Sequence, residues 1–210
     1  MAESGKEIVV GVSGASGAGL AVGFLRVAAR RPEFSRIHLV VSQSAISVAR
    51  SELGNSQRRL DDEADYLNLL ELGGSERARI TLHSNLDLAA PISSGSFPTA
   101  GMVVIPCSAG TLASVANGTS RGLLQRAADV TLKERRPLVL AFRESPYSRI
   151  HIRNMLHASE AGATMMPPAP AFYIESQSLD RLMEAYFWRV AGVFGIALPE
   201  EFVWRGPRKG

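Results

Sequence analysis

The stretch Ile8-Val9-Val10-Gly11-Val12, followed by the glycine-rich run Ser13-Gly14-Ala15-Ser16-Gly17-Ala18-Gly19, decides the fold of this chain. The first part is a short β-branched run of the kind found in buried strands. The second part is a turn that leads into the amphipathic segment Gly19–Arg31. A strand, a glycine-rich turn and a helix in this order form the first half of a βαβ unit, which predicts a parallel sheet.

The same alternation of apolar runs and helical segments continues along the chain. Further strands are predicted at Ile37–Val41, Ile80–His83, Met102–Pro106, Leu138–Phe142 and Ala163–Met166. Further helices are predicted at Ser44–Leu53, within residues 55–78, and at Leu123–Glu134, Ser148–Ala161 and Leu179–Phe194. We therefore predict a single α/β domain over residues 1–210, with flexible ends at about 1–6 and 205–210. Its fold is a doubly wound, Rossmann or flavodoxin-like three-layer sandwich with a mostly parallel sheet.

The composition narrows the class of protein. The 210 residues are 46% hydrophobic and 20% charged, which suits one domain with a sizeable core. A lone Cys107 excludes an internal disulfide and multi-cysteine zinc sites, and it favours a reducing compartment. No apolar run approaches the roughly 18–20 residues that span a bilayer, and Met1–Glu7 lacks the apolar core of a signal peptide. A cytoplasmic protein without a membrane partner is expected.

Charge and histidine spacing narrow the class of ligand. The net charge is +3, with 23 basic residues scattered among 20 acidic ones. This balance is compatible with anionic small molecules and gives little support to nucleic-acid binding. The basic run Arg205-Gly206-Pro207-Arg208-Lys209 is interpreted as a disordered end. The four histidines show no metal-ligand spacing, so no metal site is expected.

The segments that follow the predicted strands are rich in small hydroxyl residues, glycine or charge. They are Ser13–Gly19, Ser42-Gln43-Ser44, Pro106–Thr111 and Arg143–Pro146. Ligands of doubly wound sheets bind outside the carboxyl ends of the strands, so these segments predict the binding site.

The turn Gly14-Ala15-Ser16-Gly17 favours phosphate binding over mere tight packing, because glycines let backbone N–H groups approach an anion next to a helix N-terminus. It is not a Walker A loop, and it does not match the dinucleotide fingerprint in register. A dinucleotide site also needs an acidic residue after the second strand, where Ser42-Gln43-Ser44 stands instead. FMN therefore fits better than NAD.

Several polar side chains near these segments suit an anionic ligand. Arg143 can clamp a phosphate or a flavin carbonyl and Glu144 can transfer protons, although the two could instead form a surface ion pair. Arg126 and Lys133 lie seven residues apart on one helix face, where they could bind an anion or be solvated. The segment Ser93–Ser96 could hold a second phosphate or be an ordinary loop.

Motifs along the whole chain fit one known pattern: Gly14-Ala15-Ser16-Gly17, Ser94-Gly95-Ser96, Ile105–Leu112, Leu124–Leu140, Arg143-Glu144, Ile150-His151, Asn154-Met155-Leu156 and Pro170-Ala171-Phe172-Tyr173. Together they closely resemble the flavin prenyltransferases of the UbiX type. The match extends from the first strand to Trp204, and its most specific part is Met102–Leu156.

The resemblance implies a metal-independent enzyme that joins a dimethylallyl group, from dimethylallyl monophosphate, to N5 and C6 of reduced FMN. The product, prenylated FMN, would serve a separate UbiD-type decarboxylase. Family members form dodecamers, so a homo-oligomer with sites shared between subunits is expected.

The resemblance also implies a role for individual residues. The FMN site would comprise Gly14, Ala15, Ser16, Ser42, Ser108, Ala109, Gly110, Thr111 and Arg143. The allyl phosphate would be held by Ser94, Gly95, Arg126, Lys133, Tyr173 and Arg189. Ser16 and Glu144 would manage proton movements around the flavin, and Glu52 matches another active-site carboxylate.

Three residues depart from the family pattern. Leu88 stands where an aromatic residue usually flanks the prenyl group, Gln43 where lysine is common, and Phe142 where proline usually precedes the Arg-Glu pair. Loss of an aromatic wall would remove cation–π stabilisation of about 1–2 kcal/mol and could change the donor that is accepted.

Two other functions compete with this interpretation. The first is an FMN-dependent cysteine decarboxylase of the phosphopantothenoylcysteine type, which shares the fold but typically has Asn where Gly110 stands. The second is a non-enzymatic flavin-binding accessory protein, which predicts loss of Arg126, Lys133 or Glu144, yet all three are present.

Overall fold

The sheet of this protein is parallel throughout. The computed structural model describes residues 5–54, 60–174 and 178–206. Its strands are β1 Lys6–Val12, β2 Phe34–Val41, β3 Ile80–Ser84, β4 Met102–Cys107, β5 Leu138–Phe142 and β6 Ala163–Met165. They form one sheet in the order β3-β2-β1-β4-β5-β6, and every neighbouring pair is parallel. The predicted fold class is therefore confirmed.

The helices follow the strands almost as predicted. In the described residues they are α1 Ala18–Ala29, α2 Gln43–Leu53, α3 Glu63–Asn68, α4 Gly74–Arg77, α5 Ala109–Ala116, α6 Leu123–Lys133, α7 Arg149–Glu160 and α8 Leu179–Val193. Short 3₁₀ turns lie at Pro91–Ser93 and Glu200–Phe202. The sequence did not predict α5, and the helix expected within residues 55–78 is two short helices.

Helices cover both faces of the sheet, because alternate residues of each strand point to opposite sides. In β1, Ile8, Val10 and Val12 pack with α1, α2 and α8 in one apolar core. Val9 points to the other face, where α5 and α6 form the second core. All the residues of β4 and β5 are buried, as their nearly continuous apolar sequences predict.

The strand order reverses between β1 and β4, and this reversal opens a crevice at their carboxyl ends. Ser13 joins the two strand ends there. Its buried hydroxyl donates to Pro106 O at 3.0 Å and accepts from the Ser108 N–H at 2.8 Å. The segments after β1 and β4 are thereby fixed side by side.

The connection from β3 to β4 crosses the sheet without an α-helix. It begins at Asn85, whose backbone and side-chain oxygens accept the N–H groups of Leu123 and Leu124 at the start of α6. It then follows α6 towards Gly95, where Arg136 donates to a carbonyl oxygen at 2.7 Å. We call residues 93–97 of this connection the crossover loop.

The two chain ends differ in how far they are described. Lys6 is the first residue of β1, and its amino group donates to Phe194 O at 2.8 Å. Residues 1–4 and 207–210, within the ends predicted to be flexible, lie outside the described residues. No helix in the described part of the chain is both long and apolar enough to cross a bilayer.

Candidate functional site

A cavity of about 350 Å³ lies in the crevice between β1 and β4. Its lining comes from the segments that follow β1, β4 and β5: Gly14, Ala15, Ser16, Ser108, Ala109, Gly110, Arg143 and Glu144. All eight are residues that the sequence placed in the candidate site. We call this cavity the strand-end cleft.

A second cavity, of about 520 Å³, adjoins the cleft because both are lined by Ser108 and Gly110. Its other lining residues are Ser44, Thr111, Ala113, Ser114, Asn117, Thr119, Arg121 and Gln125. Most of these lining residues carry a hydroxyl or an amide group, and we call this space the hydroxyl-lined cavity. Of these lining residues, the sequence analysis assigned only Ser108, Gly110 and Thr111 to the site, because the segment after Thr111 was not recognised as a helix.

Two predicted serines cap the helices that border these cavities. Ser108 is the N-cap of α5, where its hydroxyl oxygen accepts the Thr111 N–H at 3.3 Å and its O–H group donates to the Thr111 hydroxyl oxygen at 3.1 Å. Ser42 caps α2 by accepting the Ala45 N–H at 3.2 Å. Each hydroxyl therefore fixes a helix N-terminus, whose first N–H groups lack partners within the helix.

Gly14 allows the turn after β1 to touch the start of α2. A Cβ at this position would lie 2.5 Å from Ser44 Cβ, 3.1 Å from the Ser44 carbonyl carbon, and in overlap with Ser44 Oγ. Only glycine fits this close approach. Ser44 is thus a site residue that the sequence analysis did not assign.

Glu52 extends from the end of α2 to the first turn of α1. Its carboxylate accepts the Gly17 N–H at 2.9 Å and the Ala18 N–H at 2.8 Å. Burial would raise the pKa of Glu52, but hydrogen bonds from the Ser16 side chain and these two N–H groups outweigh it, and Arg143 acts in the same direction. The pKa of Glu52 therefore lies below its ordinary value, and the group is an anion at neutral pH.

This contact corrects one sequence-based expectation. The turn Gly14–Gly17 was expected to hold a phosphate on backbone N–H groups near the start of α1, but Glu52 already accepts two of them. The Ala15 N–H is also used, by Ser13 O at 2.8 Å. A phosphate at the helix N-terminus would face a carboxylate, so the turn is better suited to an uncharged part of a ligand.

Substitution Glu52→Gln is expected to weaken this cap in a pH-dependent way. A carboxylate whose pKa is depressed by folding contributes stability above its ordinary pKa of 4.5, and that contribution is lost as the pH falls through the folded pKa. Glutamine has one acceptor oxygen and no charge, so we expect a loss of about 1 kcal/mol at pH 7. Urea unfolding should show this difference shrinking below pH 4.5. A difference that does not change with pH would contradict the assignment.

Arg143 and Glu144 lie directly after β5 and line the cleft, as predicted. The Arg143 N–H donates to Cys107 O at 3.1 Å, which ties this segment to the end of β4. Glu144 Oε1 accepts the Ser145 N–H at 3.0 Å. Burial raises the pKa of the Cys107 thiol, so Cys107 is a buried apolar residue rather than a thiolate nucleophile.

Four of the residues predicted to bind the allyl phosphate form a separate cluster between the crossover loop and α6. Arg126 donates to Ser93 O at 3.1 Å and pairs with Asp129 at 2.8 Å. Lys133 pairs with Glu134, and a Cβ on Gly95 would overlap both side-chain ends. Ser94 Oγ lies 2.9 Å from Ser96 Oγ. None of the residues predicted to bind the allyl phosphate lines the strand-end cleft of the same chain.

Tyr173 and Arg189 lie in the C-terminal part of the chain. The Tyr173 ring packs against Trp204 with centroids 5.1 Å apart, and the two rings line a cavity of about 500 Å³. Arg189 is an exposed residue of α8. Among the described residues, all the predicted FMN residues except Ser42 therefore line the two adjoining cavities of one chain, whereas the residues predicted to bind the allyl phosphate are divided between two places.

The three departures from the family pattern occupy different environments. Leu88 is 58% exposed in the connection after β3. Gln43 is the first residue of α2. Phe142 is buried at the end of β5 and stacks on Tyr147 with ring centroids 5.5 Å apart, so it acts as a core residue. Within the described ranges, no three His, Cys, Asp or Glu side chains are grouped as metal ligands would be.

Comparisons with known proteins agree on one family. The family model described as Flavoprotein matches residues 1–184. The protein named Flavin prenyltransferase UbiX from Escherichia coli is 44% identical over 203 residues, which cover 96% of this chain and 99% of that protein.

Two solved structures share the fold over nearly the whole chain. AnUbiX (PadA1), crystallised with FMN and dimethylallyl pyrophosphate, is 38% identical with a TM-score of 0.83, over 98% of this chain and 100% of that one. A dodecameric FMN-dependent UbiX-like decarboxylase from Escherichia coli O157:H7 is 40% identical with a TM-score of 0.80, over 95% and 100%. A PPC decarboxylase variant is only 20% identical with a TM-score of 0.54, over 80% and 84%, which shows a shared fold alone.

Proposed function

The chain belongs to the flavoprotein family and, within it, to the UbiX-type flavin prenyltransferases, and on this premise we propose that it prenylates reduced FMN at N5 and C6 with dimethylallyl monophosphate. The observation that carries the proposal is the strand-end cleft, in which Arg143 and Glu144 face the Gly14–Ser16 turn. A cation and a proton acceptor there adjoin a surface of small residues that a flat ring system can approach.

The two adjoining cavities fit the two parts of FMN. Both volumes lie within the range of about 300–1,000 Å³ that is common for ligand pockets. The flavin ring would lie in the strand-end cleft against Gly14, Ala15 and Ser16. The ribityl phosphate would enter the hydroxyl-lined cavity, near the N-terminus of α5, where Thr111 and Ser108 lie.

Bound reduced FMN supplies the nucleophilic atoms N5 and C6. The protein must stabilise phosphate as it leaves the allyl group, and the cations Arg126 and Lys133 with the hydroxyl of Ser94 suit that task, because fixed donors stabilise developing negative charge. These cations can do so without a bound metal. Cleavage of the allyl C–O bond releases inorganic phosphate. Formation of the bonds to N5 and C6 displaces one hydrogen from each atom as a proton, and the former allyl double bond takes up one proton, so the flavin gains C₅H₈ in total. The proton that C6 loses needs an acceptor.

Glu144 is the protein's candidate acceptor for that proton, because it lines the cleft beside Ser16. Glu52 does not line the cleft. It holds the Ser16 side chain and the start of α1, so we assign it a positioning role. The released phosphate is a second candidate acceptor.

We propose that a second copy of the chain completes the site, within a homododecamer. Support comes from the division of the donor residues described above and from the dodecameric relative. Exposed apolar side chains also support an oligomer. Ile150, Ile152 and Leu156 of α7 are more than half exposed in the single chain. Such side chains on one helix are typical of an interface.

The resemblance also supports a partner and a location. We propose that prenylated FMN passes to a separate UbiD-type decarboxylase and that the enzyme works in the cytoplasm. A proteomic pull-down of the loaded enzyme and fractionation of cells would test these two proposals independently of the chemistry.

Mass spectrometry of the flavin tests the proposed reaction directly. Anaerobic incubation with reduced FMN and dimethylallyl monophosphate should give a flavin heavier by one C₅H₈ unit, and the diphosphate donor in a parallel reaction tests donor choice. Unchanged FMN that is still bound would leave the cofactor assignment standing and reject the prenyl transfer. Decarboxylation of a cysteine peptide would then favour the alternative function.

Substitutions Tyr173→Phe and Arg189→Ala should weaken donor binding more than flavin binding. Both residues lie outside the cavities assigned to FMN, and Arg189 offers a cation to phosphate. We expect the KM for dimethylallyl monophosphate to rise about tenfold for Arg189→Ala, which corresponds to about 1.4 kcal/mol. Flavin affinity, measured by fluorescence titration, should change less than twofold or so. Equal loss of both affinities would contradict the assignment.

A further inference from the structure

A line of three polar side chains crosses the sheet beneath the crossover loop. His38 of β2 lies in the middle, only 4% exposed. Its Nε2 is 2.8 Å from Glu7 Oε2 of β1, and its Nδ1 is 2.9 Å from His83 Nε2 of β3. Both ring nitrogens of His38 are therefore engaged, and each bond joins β2 to a neighbouring strand.

The two hydrogen bonds of His38 hold its ring in one orientation. The Glu7 carboxylate accepts, so His38 Nε2 carries a hydrogen. Between His38 Nδ1 and His83 Nε2, one nitrogen donates and the other accepts, according to the tautomer. Burial and the nearby charge of His38 lower the pKa of His83, with Asp87 acting against them. A flip of the His38 ring would break both hydrogen bonds.

The crossover loop rests on this fixed ring. Phe97, at the end of the loop, presents its ring to His38 at an interplanar angle of 88°, with centroids 5.2 Å apart. From the other side, Arg136 donates to Phe97 O at 2.8 Å and to Gly95 O at 2.7 Å. The loop is thus held between the sheet and the end of α6.

The position of the loop determines where Ser94 and Gly95 stand relative to Lys133. A Cβ on Gly95 would overlap Lys133 Nζ, so the loop backbone and the cation are already in close contact. A small shift of the loop would alter the spacing between backbone, hydroxyl and ammonium groups. A site for a tetrahedral anion depends on that spacing.

Packing alone does not account for three polar side chains here. Burial of polar groups costs free energy unless they are hydrogen-bonded, and an apolar residue could cover the strand without this requirement. Hydrogen bonds are directional, so they fix the plane of the His38 ring. An apolar side chain in its place would have no such constraint.

We propose that His38, held between Glu7 and His83, is a positioning residue for the phosphate end of the allyl donor. It acts through Phe97 on the crossover loop, and it does not touch the reacting groups. The inference rests on the proposed function, because that function assigns the donor phosphate to Ser94, Gly95 and Lys133.

The test uses the full-length, FMN-loaded protein and two readouts. The first is the affinity for inorganic phosphate, measured by calorimetry, and the second is the KM for dimethylallyl monophosphate. His38→Phe keeps a ring of similar size but removes both hydrogen bonds. We expect the affinity for phosphate to fall about tenfold and the KM for dimethylallyl monophosphate to rise about tenfold. The kcat and the flavin affinity should stay near the wild-type values.

Three further variants separate positioning from folding. Glu7→Gln keeps an acceptor for His38 and should retain near wild-type phosphate affinity. Phe97→Leu removes the ring contact from the loop side and should weaken phosphate binding as His38→Phe does, even if the latter fails to fold. Thr81→Ala is the matched control, because it removes a 3.0 Å bond from Arg36 that also joins β2 to β3 but involves neither His38 nor Phe97.

The outcomes distinguish this inference from the proposed function. Wild-type phosphate affinity in both His38→Phe and Phe97→Leu would overturn the positioning role, and so would an equal loss of flavin affinity. A wild-type protein that binds phosphate but forms no prenylated flavin would reject the proposed reaction, while the variants would still decide the positioning role. A wild-type protein that binds no phosphate would overturn the inference itself.

Discussion

Glu144→Gln should bind FMN as tightly as the wild-type protein and form almost no prenylated flavin. The side chain keeps its size, and an amide oxygen can still accept the Ser145 N–H that Glu144 accepts at 3.0 Å. What the variant loses is the basic group next to the flavin site. Positioned proton acceptors contribute about 10²–10⁴-fold to rates, so we expect a loss of that size in single-turnover prenylation.

Anaerobic mass spectrometry measures the product of this variant, and flavin absorbance measures the bound cofactor. Glu76→Gln is a matched control, because Glu76 also accepts a nearby backbone N–H, from Gly73 at 3.1 Å, but lies outside both flavin cavities. Wild-type turnover in Glu144→Gln would remove this residue from the mechanism. It would leave the released phosphate as the proton acceptor.

Gly14→Ala is expected to destabilise the protein and to abolish tight flavin binding together. The new Cβ would lie 2.5 Å from Ser44 Cβ, well inside van der Waals contact, so the turn after β1 and the start of α2 must separate. Overpacking of this kind costs about 1–3 kcal/mol. The displaced turn also forms one wall of the strand-end cleft.

A double-mutant cycle with Ser44→Gly tests this steric explanation. Without the Ser44 side chain, the contact that remains is 3.1 Å to a backbone carbon. Relative to Ser44→Gly alone, the added Gly14→Ala should then cost less than about half as much in urea unfolding, since neighbouring substitutions couple. Additive costs would show that Gly14 is required for another reason.

The strands and the location of the cleft could be predicted because both depend on local sequence. Runs such as Leu138–Phe142 are apolar on both faces, and parallel strands bring their carboxyl ends to one edge. Helix α5 was missed because Ala109–Ala116 is short and has Gly110 in its first turn, a residue that usually indicates a loop. Residues 63–77 form two helices because the chain turns at Glu71, with φ 50°.

Patterns in the sequence could not predict the tertiary contacts of the site. The Glu52 cap depends on how the end of α2 approaches the start of α1, and 35 residues separate Glu52 from Gly17. In the sequence, His38 is one polar position in an apolar strand. Its hydrogen-bond partners lie in β1 and β3. The division of the donor residues is likewise a property of the folded chain, since Arg143 and Lys133 are close in sequence but belong to different clusters.

The connection between β3 and β4, which contains no α-helix, has a consequence for how such an enzyme can change over evolutionary time. An α-helix at this place would have to keep an apolar stripe facing the sheet, and each change would disturb the core. Residues 85–92 instead include side chains with little to pack against, such as Leu86 and Leu88, 87% and 58% exposed. Substitutions there can accumulate at small energetic cost, so this connection can vary in sequence while the strands that carry the strand-end cleft stay the same.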